Sequence, residues 1–570
     1  MKPKSTRQPI WLPIAISLAV VVGLFIGNRI SPNNYAADND RKVNAILNLI
    51  NQDYVDSTNI NDLIEMSIPE ILSNLDPHTT YMSAEELRAS AENASGSISD
   101  IGIQFEMTKD TAMVIEVIPG SPSSKAAIMP GDLILSINDE DVTGGKASKG
   151  AIAKQLRGPK GSQVKLGIKR RNTAKTMTFN VTRGDIPVNT VDAHYMIDKN
   201  TGYLKINQFG RNTFKEFLRA MKSLEGEGAS RYIIDLRGNG GGFMEVALRM
   251  ANEFLPAGKP IVYTKGRYKR DSNEAWSEGN GSFQDAELAV LIDEFSASAS
   301  EIFAGAMQDN DRGLIVGCRS YGKGLVQKEF ILPDSSAIRL TTARYYTPSG
   351  RCIQKLYKRG ENEEYDNELM ERYLRGEMIN PDSIKFDKSQ MFKTAHGRTV
   401  YGGGGIIPDI FVPLDNGGLN NYYNEVESAG LLHQFAFNLC NDNRQGLSKM
   451  SDYKQFLRMA PSDESILKDF ADFASANGIA PRWYYINQSH DMIVTKIKAL
   501  IAREIFGSQA YYPILNRNDK TVQTALKALN KHKAVFPITE TLNLKSIAQQ
   551  RNRTDNSHQS FTKQHASSQL

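Results

Sequence analysis

The sequence predicts a multidomain α+β protein: an apolar N-terminal segment, a small strand-rich domain, a larger α/β core and a helical C-terminal region. Three observations predict it. At roughly 150 residues per domain, a chain of 570 residues holds about three or four structural units. Between 203 and 316, strand-like runs alternate with runs of 3.6-residue period, which is the pattern of an α/β core. Between 102 and 183 there are only short strand signals split by turn residues.

The elements follow in chain order. Ile10 to Gly27 carries no charge and is preceded by Lys2, Lys4 and Arg7. It is just long enough to span a bilayer, and the basic flank places residues 1–9 in the cytoplasm and the remainder outside. A cleaved signal peptide would also begin this way, but only the poor Tyr35-Ala36-Ala37 site follows, so 10–27 reads as an uncleaved transmembrane signal anchor. The expected location is the inner (cytoplasmic) membrane, single-pass, with the folded part in the periplasm or its equivalent. Residues 38–95 read as helical and contain a Leu75-Asp-Pro-His-Thr79 turn. In 99–185, Leu133, Leu135 and Ile137 alternate after a Pro130-Gly131-Asp132 turn, as a half-buried strand should.

From 186 to 414 the pattern changes. Strands are expected at Tyr203–Phe209, Tyr232–Leu236, Leu288–Ile292 and Leu314–Val316. Helices are expected from Phe214, where Phe217, Leu218 and Met221 share a face, at Met244–Leu255 and at Ser300–Gln308. The charged stretch 358–393 reads as a solvated surface insertion. Residues 415–515 read as helical: Ile493, Ile497, Leu500 and Ile501 share a face suited to a core or a dimer contact, and Gly507 is a stop. The tail 516–570 reads as polar and partly disordered.

Composition excludes several classes. Lys plus Arg is 68 and Asp plus Glu 64, a net charge of +4, which does not suit a dedicated nucleic-acid binder. With 40% hydrophobic residues the chain can build real cores. Cys318, Cys352 and Cys440 are too few for a disulfide scaffold and contain no CxxC pair, so a zinc finger is excluded, although one pair could be bridged.

The segment richest in chemistry is Phe295–Gln327, FSASASEIFAGAMQDNDRGLIVGCRSYGKGLVQ. Gly317 to Lys323 fits G-x4-G-K, but Gly324 replaces the hydroxyl that ligates magnesium and a strand-like run follows, so a phosphate loop is excluded. Ser298 and Glu301 fit an S-x-x-E capping box, with Lys323 an ordinary loop lysine. Alternatively, a serine at this helix start is a nucleophile. Its base would be one of eight histidines, all distant in sequence, or Lys323, if burial lowers its pKa enough to give a neutral amine. A helix start also offers free N–H groups to an oxyanion. Capping and nucleophilic roles ask for the same geometry, and the residues alone do not separate them. The turn Asp235-Leu-Arg-Gly-Asn-Gly-Gly-Gly242 can aim N–H groups at an anion or simply join strand to helix, but it is not G-x-G-x-x-G, so a dinucleotide site is not expected.

The LDPHT, SASASE, YGKGLVQ, TPSGRCIQ and GGGGIIPDI strings, in this order from about Asp40 to Pro413, resemble the carboxy-terminal processing (tail-specific) serine peptidases. That resemblance implies an α/β core of the crotonase/Clp-like kind and a Ser–Lys dyad supported by glutamine. Ser298, 25 residues before Lys323, and Gln327, four after it, fit the family spacing, which selects Ser298 over Ser296 and Ser300. The resemblance also implies oxyanion donors from Ala299 and from Gly240 or Gly241. It implies a PDZ domain at 99–185 whose peptide-binding loop is Ile101, Gly102 and Ile103. Asp100 stands where the family commonly has glycine and would repel a substrate carboxylate unless it points away. The implied function is an extracytoplasmic serine endopeptidase that captures protein substrates by accessible, apolar C-termini and cuts them through an acyl-enzyme, with no metal or cofactor and no nucleic acid. A homodimer is permitted but not required. The rival reading is an inactive PDZ scaffold or chaperone.

Overall fold

The computed structural model describes residues 34–531, except 109, 171, 172, 174, 188, 415, 416 and 448. The expected anchor, 10–27, and the tail beyond 531 lie outside the described residues. Among the described residues no helix is long and apolar enough to cross a membrane. The chain divides into two units between Leu75 and Asp76. The first contains helices Asn34–Asp53 and Ile60–Ser73. Asn59 caps the second of these by accepting the Asn61 N–H at 3.0 Å.

The second unit opens with strand Thr80–Met82 and helix Ala84–Ser95, then enters the small strand-rich domain. There an antiparallel sheet runs in the order Ile103–Thr108, Thr111–Val117, Leu133–Ile137, Gln163–Lys169, Met177–Thr182. Ile101, Val114, Ile134, Leu166 and Ile168 fill its core together with Ile152 of helix Lys149–Leu156. Strand Ile103–Thr108 stands at the sheet edge. Strands Ser97–Asp100 and Gly184–Pro187 pair where the chain enters and leaves this domain.

The larger core is built on a six-stranded sheet ordered Val191–Met196, Thr201–Ile206, Arg231–Asp235, Glu287–Ile292, Leu314–Gly317, Ile410–Phe411. Only the first pair is antiparallel; the rest run parallel. Parallel strands are covered on both faces and so read as continuous apolar runs. Leu204, Ile234, Val290 and Ile315 face the helices Thr213–Gly226, Met244–Asn252 and Ala299–Asp309. Tyr203, Ile233, Leu291 and Val316 face the opposite way, against Val522, Ala525 and Leu529 of helix Lys520–Asn530. That helix corrects the reading of 516–570 as a polar tail: its spacing of i, i+3 and i+7 covers a sheet face that would otherwise lie open. A second, antiparallel sheet includes Leu325–Ile331, which pairs with Ala337–Tyr346.

Helices between 421 and 515 form a separate core around Leu432, Phe470, Ile493, Ile497 and Leu500, so the predicted apolar stripe is core. Gly507, with φ +84°, ends helix His490–Phe506 as expected. Two further expectations change. The charged stretch 358–393 is not merely solvated: its helix Asn362–Leu374 buries Tyr365 and Arg372, and Glu377 and Met378 are buried behind it. All three cysteines are free.

Candidate active site

Three loops leave the carboxyl ends of adjacent parallel strands, the place where open α/β sheets form their sites. The first, after Asp235, is the glycine turn; the second, after Ile292, carries Ser298; the third, after Gly317, carries Lys323. The loops are stitched together by backbone and hydroxyl groups. Ser296 Oγ donates to the Leu236 carbonyl at 2.9 Å, and Ser300 Oγ donates to the Asn239 carbonyl at 2.8 Å. Both of these serines are fully buried, whereas Ser298 is half-buried. The structure therefore separates three serines that composition leaves equal: two are committed to holding loops and the third is partly exposed.

Ser298 sits at φ +55°, ψ −113°, a conformation that costs an L-residue on the order of 1–3 kcal/mol and persists only where surroundings enforce it. Glu301 supplies much of that enforcement. Its Oε2 accepts the Ser298 N–H at 2.9 Å. The Glu301 N–H donates to the Ser298 carbonyl at 2.9 Å and also faces the Ser298 hydroxyl oxygen, which closes a capping box. Tyr345 Oη donates to the same carbonyl at 3.2 Å. The capping reading thus holds for both residues, and because Ser298 Oγ only accepts in the cap, its hydroxyl proton is not used there.

Glu301 also reaches the lysine loop. Oε2 accepts the Lys323 N–H at 2.9 Å; Oε1 accepts the Gly322 N–H at 2.7 Å and the Ser320 hydroxyl at 2.5 Å. One fully buried carboxylate fixes the backbones of both Ser298 and Lys323. Burial pushes the Glu301 carboxyl up, and the four donors oppose that shift. The Lys323 amine is held below the usual lysine range, chiefly by burial and next by the Arg339 guanidinium, against the raising effect of Glu301 and Asp76.

Asp76 and His78, in the turn that sequence reasoning noted without assigning a role, come to this site. The His78 imidazole is pushed down to about 4, first by burial and then by the neighbouring Lys323, so it is neutral near pH 7. Its Nε2 meets Tyr365 Oη at 2.7 Å. Asp76 accepts the Thr79 hydroxyl at 2.6 Å and the Thr341 hydroxyl at 3.0 Å. Gln327 Nε2 donates to Thr341 Oγ1 at 3.3 Å, so the amide is oriented through Thr341 and Asp76.

In the glycine turn the two candidate donors differ. The Gly241 N–H donates to Asn239 Oδ1 at 2.9 Å and is engaged. The N–H groups of Gly240 and Ala299 have no acceptor among the described residues. Gly241 earns its place sterically: at φ +101° a Cβ there would lie 2.7 Å from the Ala297 carbonyl oxygen and 2.8 Å from Ser298 Cβ.

The insertion braces the lysine loop. Arg372, 0% exposed, donates to the Ser320 carbonyl at 2.8 Å and the Tyr321 carbonyl at 3.1 Å, and pairs with Glu368 at 2.7 Å. Arg319 pairs with the buried Glu377. In the small domain, Ile101 is buried in the core, its carbonyl accepting the Ser123 N–H at 2.9 Å. The Gly102 carbonyl accepts the Ile118 N–H at 3.0 Å, and Ile103 begins the edge strand. Among the described residues no cluster of His, Cys, Asp and Glu could hold a metal ion.

Comparison with known proteins agrees with this layout. Residues 200–359 match peptidase family S41, residues 99–181 match a PDZ domain, and residues 422–507 match a family of unknown function. The carboxy-terminal-processing protease of Bartonella bacilliformis is 35% identical over 313 residues, covering 54% of this chain and 71% of its own. A carboxyl-terminal-processing protease of Synechocystis is 33% identical over 380 residues, covering 62% of this chain and 86% of its own. In Bacillus subtilis the carboxy-terminal processing protease CtpA is 36% identical over 315 residues, covering 55% and 66%. A peptidase core with a PDZ domain is the class that fold and site define. The chain belongs to the carboxy-terminal-processing protease family, and it is a serine-type C-terminal processing peptidase.

Proposed function

We propose that Ser298 and Lys323 are the catalytic dyad of an endopeptidase that lies outside the cytoplasm, anchored by 10–27, and that takes unfolded protein tails through its PDZ domain. The observation that carries the dyad is the shared Glu301 carboxylate, which accepts the backbone N–H of both residues at 2.9 Å beside a strained serine and a buried lysine. Neutral Lys323 takes the Ser298 hydroxyl proton as Oγ attacks the peptide carbonyl carbon. The N–H groups of Ala299 and Gly240 hold the developing oxyanion, with Gly241 shaping the turn. As the C–N bond breaks, the Lys323 ammonium returns the proton to the leaving amine. Water, deprotonated by Lys323, then attacks the Ser298 ester; as the bond to Oγ breaks, the Lys323 ammonium returns that proton to Oγ and the carboxylic acid product leaves. Gln327 orients the amine from the adjacent strand.

The test uses the chain from Asp38 onward and an unfolded protein with an apolar C-terminus, followed by mass spectrometry. Wild type cuts; Ser298→Ala and Lys323→Ala do not. Equal cutting by Lys323→Ala would transfer the base role elsewhere, with His78, which feels the Lys323 charge, the first histidine to replace. The anchor is tested by fractionating cells that produce the full chain and probing intact spheroplasts with added protease. Protection of the folded part in spheroplasts would sink the extracytoplasmic reading.

A further inference from the structure

The PDZ groove lies between the edge strand Ile103–Thr108 and helix Lys149–Leu156. It encloses about 260 Å³ and is lined by Ile103, Phe105, Ala153 and Leu156, with charged groups at both ends. A ligand added to this edge as a strand would point its end at the loop Asp100–Gly102. In such a loop the backbone N–H groups ordinarily receive a terminal carboxylate.

Here those donors already face a carboxylate belonging to the chain itself. Asp100 Oδ1 accepts the Ile101 N–H at 2.5 Å and lies 3.4 Å from the Gly102 N–H. The side chain is not a loose neighbour. Asp100 ends strand Ser97–Asp100, whose pairing with Gly184 fixes its backbone, and its Oδ2 lies 3.7 Å from Arg157 Nε at the same end of the groove. Burial pushes its carboxyl up, and the two backbone donors and Arg157 pull against that shift. A second carboxylate brought to the same N–H groups would compete for donors and meet a like charge at close range.

We propose that Asp100 is a specificity-determining residue that replaces the ligand's terminal carboxylate, so that the groove takes an extended apolar polypeptide segment by strand addition without requiring a free C-terminus. Internal and amidated segments therefore bind as well as true tails. This rests on the peptide-binding role of the PDZ domain stated above.

The experiment measures fluorescence anisotropy with the full chain carrying Ser298→Ala, using one labelled apolar peptide in two forms, with a free carboxylate and with a C-terminal amide. The two forms bind Asp100 protein within about threefold of each other. In Asp100→Gly the free acid binds about tenfold or more tighter than the amide, because the loop donors are released. Asp100→Asn keeps the acceptor oxygen without the charge and falls between them, which guards against a glycine variant that fails to fold. A free-acid preference of about tenfold in the unaltered protein, or no gain in either variant, overturns the proposal. Ala153→Trp, which fills the groove, separates the two levels. Loss of binding in this variant keeps peptide capture by the PDZ domain and leaves Asp100 as the only point at issue. Unchanged binding places the peptide elsewhere and removes both readings.

Discussion

Replacing Glu301 by glutamine perturbs the site at the one atom group that both candidate catalytic residues share. The carboxylate accepts four donors: Ser298 N–H, Ser320 Oγ, Gly322 N–H and Lys323 N–H. Glutamine offers one oxygen and one NH₂ group, so two donors lose their acceptor whichever way the amide turns. The less costly orientation turns the NH₂ toward Ser320, whose oxygen accepts it beside the Ile406 N–H, and leaves the Gly322 N–H and the Ser320 hydroxyl proton without an acceptor. Each buried orphan costs about 1–3 kcal/mol and the new bond to the Ser320 oxygen offsets part of this, so the variant is destabilised by about 3 kcal/mol. The two bonds to the dyad backbone survive but lose their charge, and charge-assisted bonds are about twice as strong as neutral ones. A strained Ser298 held less firmly spends less time in the attacking geometry, and kcat falls about tenfold with KM unchanged. Stability is read by urea denaturation in a Ser298→Ala background, and kcat and KM with a quenched-fluorescence peptide taken from a mapped cleavage site. If stability falls as calculated while kcat stays within about twofold, Glu301 only supports the fold and the positioning argument is wrong.

Three further predictions follow from the same geometry. In the dyad proposed above Lys323 works as its neutral amine, and burial holds it below the usual lysine value of 10.5, so kcat/KM is expected to rise with pH through an inflection below that value; a falling or flat profile from pH 6 to 9 would contradict a lysine base. Arg372→Ala leaves the Ser320 and Tyr321 carbonyls without a donor and takes from Glu368 its shortest ion pair, Lys355 and Arg319 remaining at 3.5 and 3.7 Å, so the chain loses about 2–4 kcal/mol in urea denaturation and the peptidase loses activity, whereas a merely solvated insertion would tolerate the change within about 0.5 kcal/mol. Glu504, buried near Glu116 of the PDZ domain, is pushed up to about 7 from 4.5 by burial. An acid raised on folding contributes fully below its unfolded value and loses that contribution as pH rises from there through the folded one, so between pH 5 and 7.5 the wild type loses about 2 kcal/mol relative to Glu504→Gln, and parallel urea midpoints for the two across that range would refute the shift.

The parts of this protein that repeat a period are legible in the order of residues alone. The strands at 231–235 and 287–292 follow from short continuous apolar runs, because both of their faces are covered, and the helix ending at Gly507 follows from a one-faced apolar stripe and a glycine stop. Helix Lys520–Asn530 carries an equally readable stripe in Val522, Ala525 and Leu529, but its partner is a sheet face more than 200 residues away, and the polar composition around it masks the signal. Ser298 and Lys323 are legible through spacing matched to a family, whereas the groups that make them chemically distinct are not.

What separates Ser298 from Ser296 and Ser300 is not the serines but Leu236 and Asn239, whose carbonyls take the other two hydroxyls from a loop some 60 positions earlier. The same holds for the two glycine amides: Gly240 and Gly241 are interchangeable as letters, and only the Asn239 side chain, turned back onto Gly241, leaves Gly240 as the donor with no acceptor among the described residues. The insertion is the clearest case. A run rich in Lys, Glu and Arg is most simply a wet surface, because burying charge is costly unless it is paired. Arg372 escapes that rule by meeting two backbone carbonyls supplied by the fold, beside Glu368 one turn earlier on its own helix. Periodicity reports which residues leave water. It carries no information on which buried polar group will find a partner, and in this chain the partners determine where the chemistry sits.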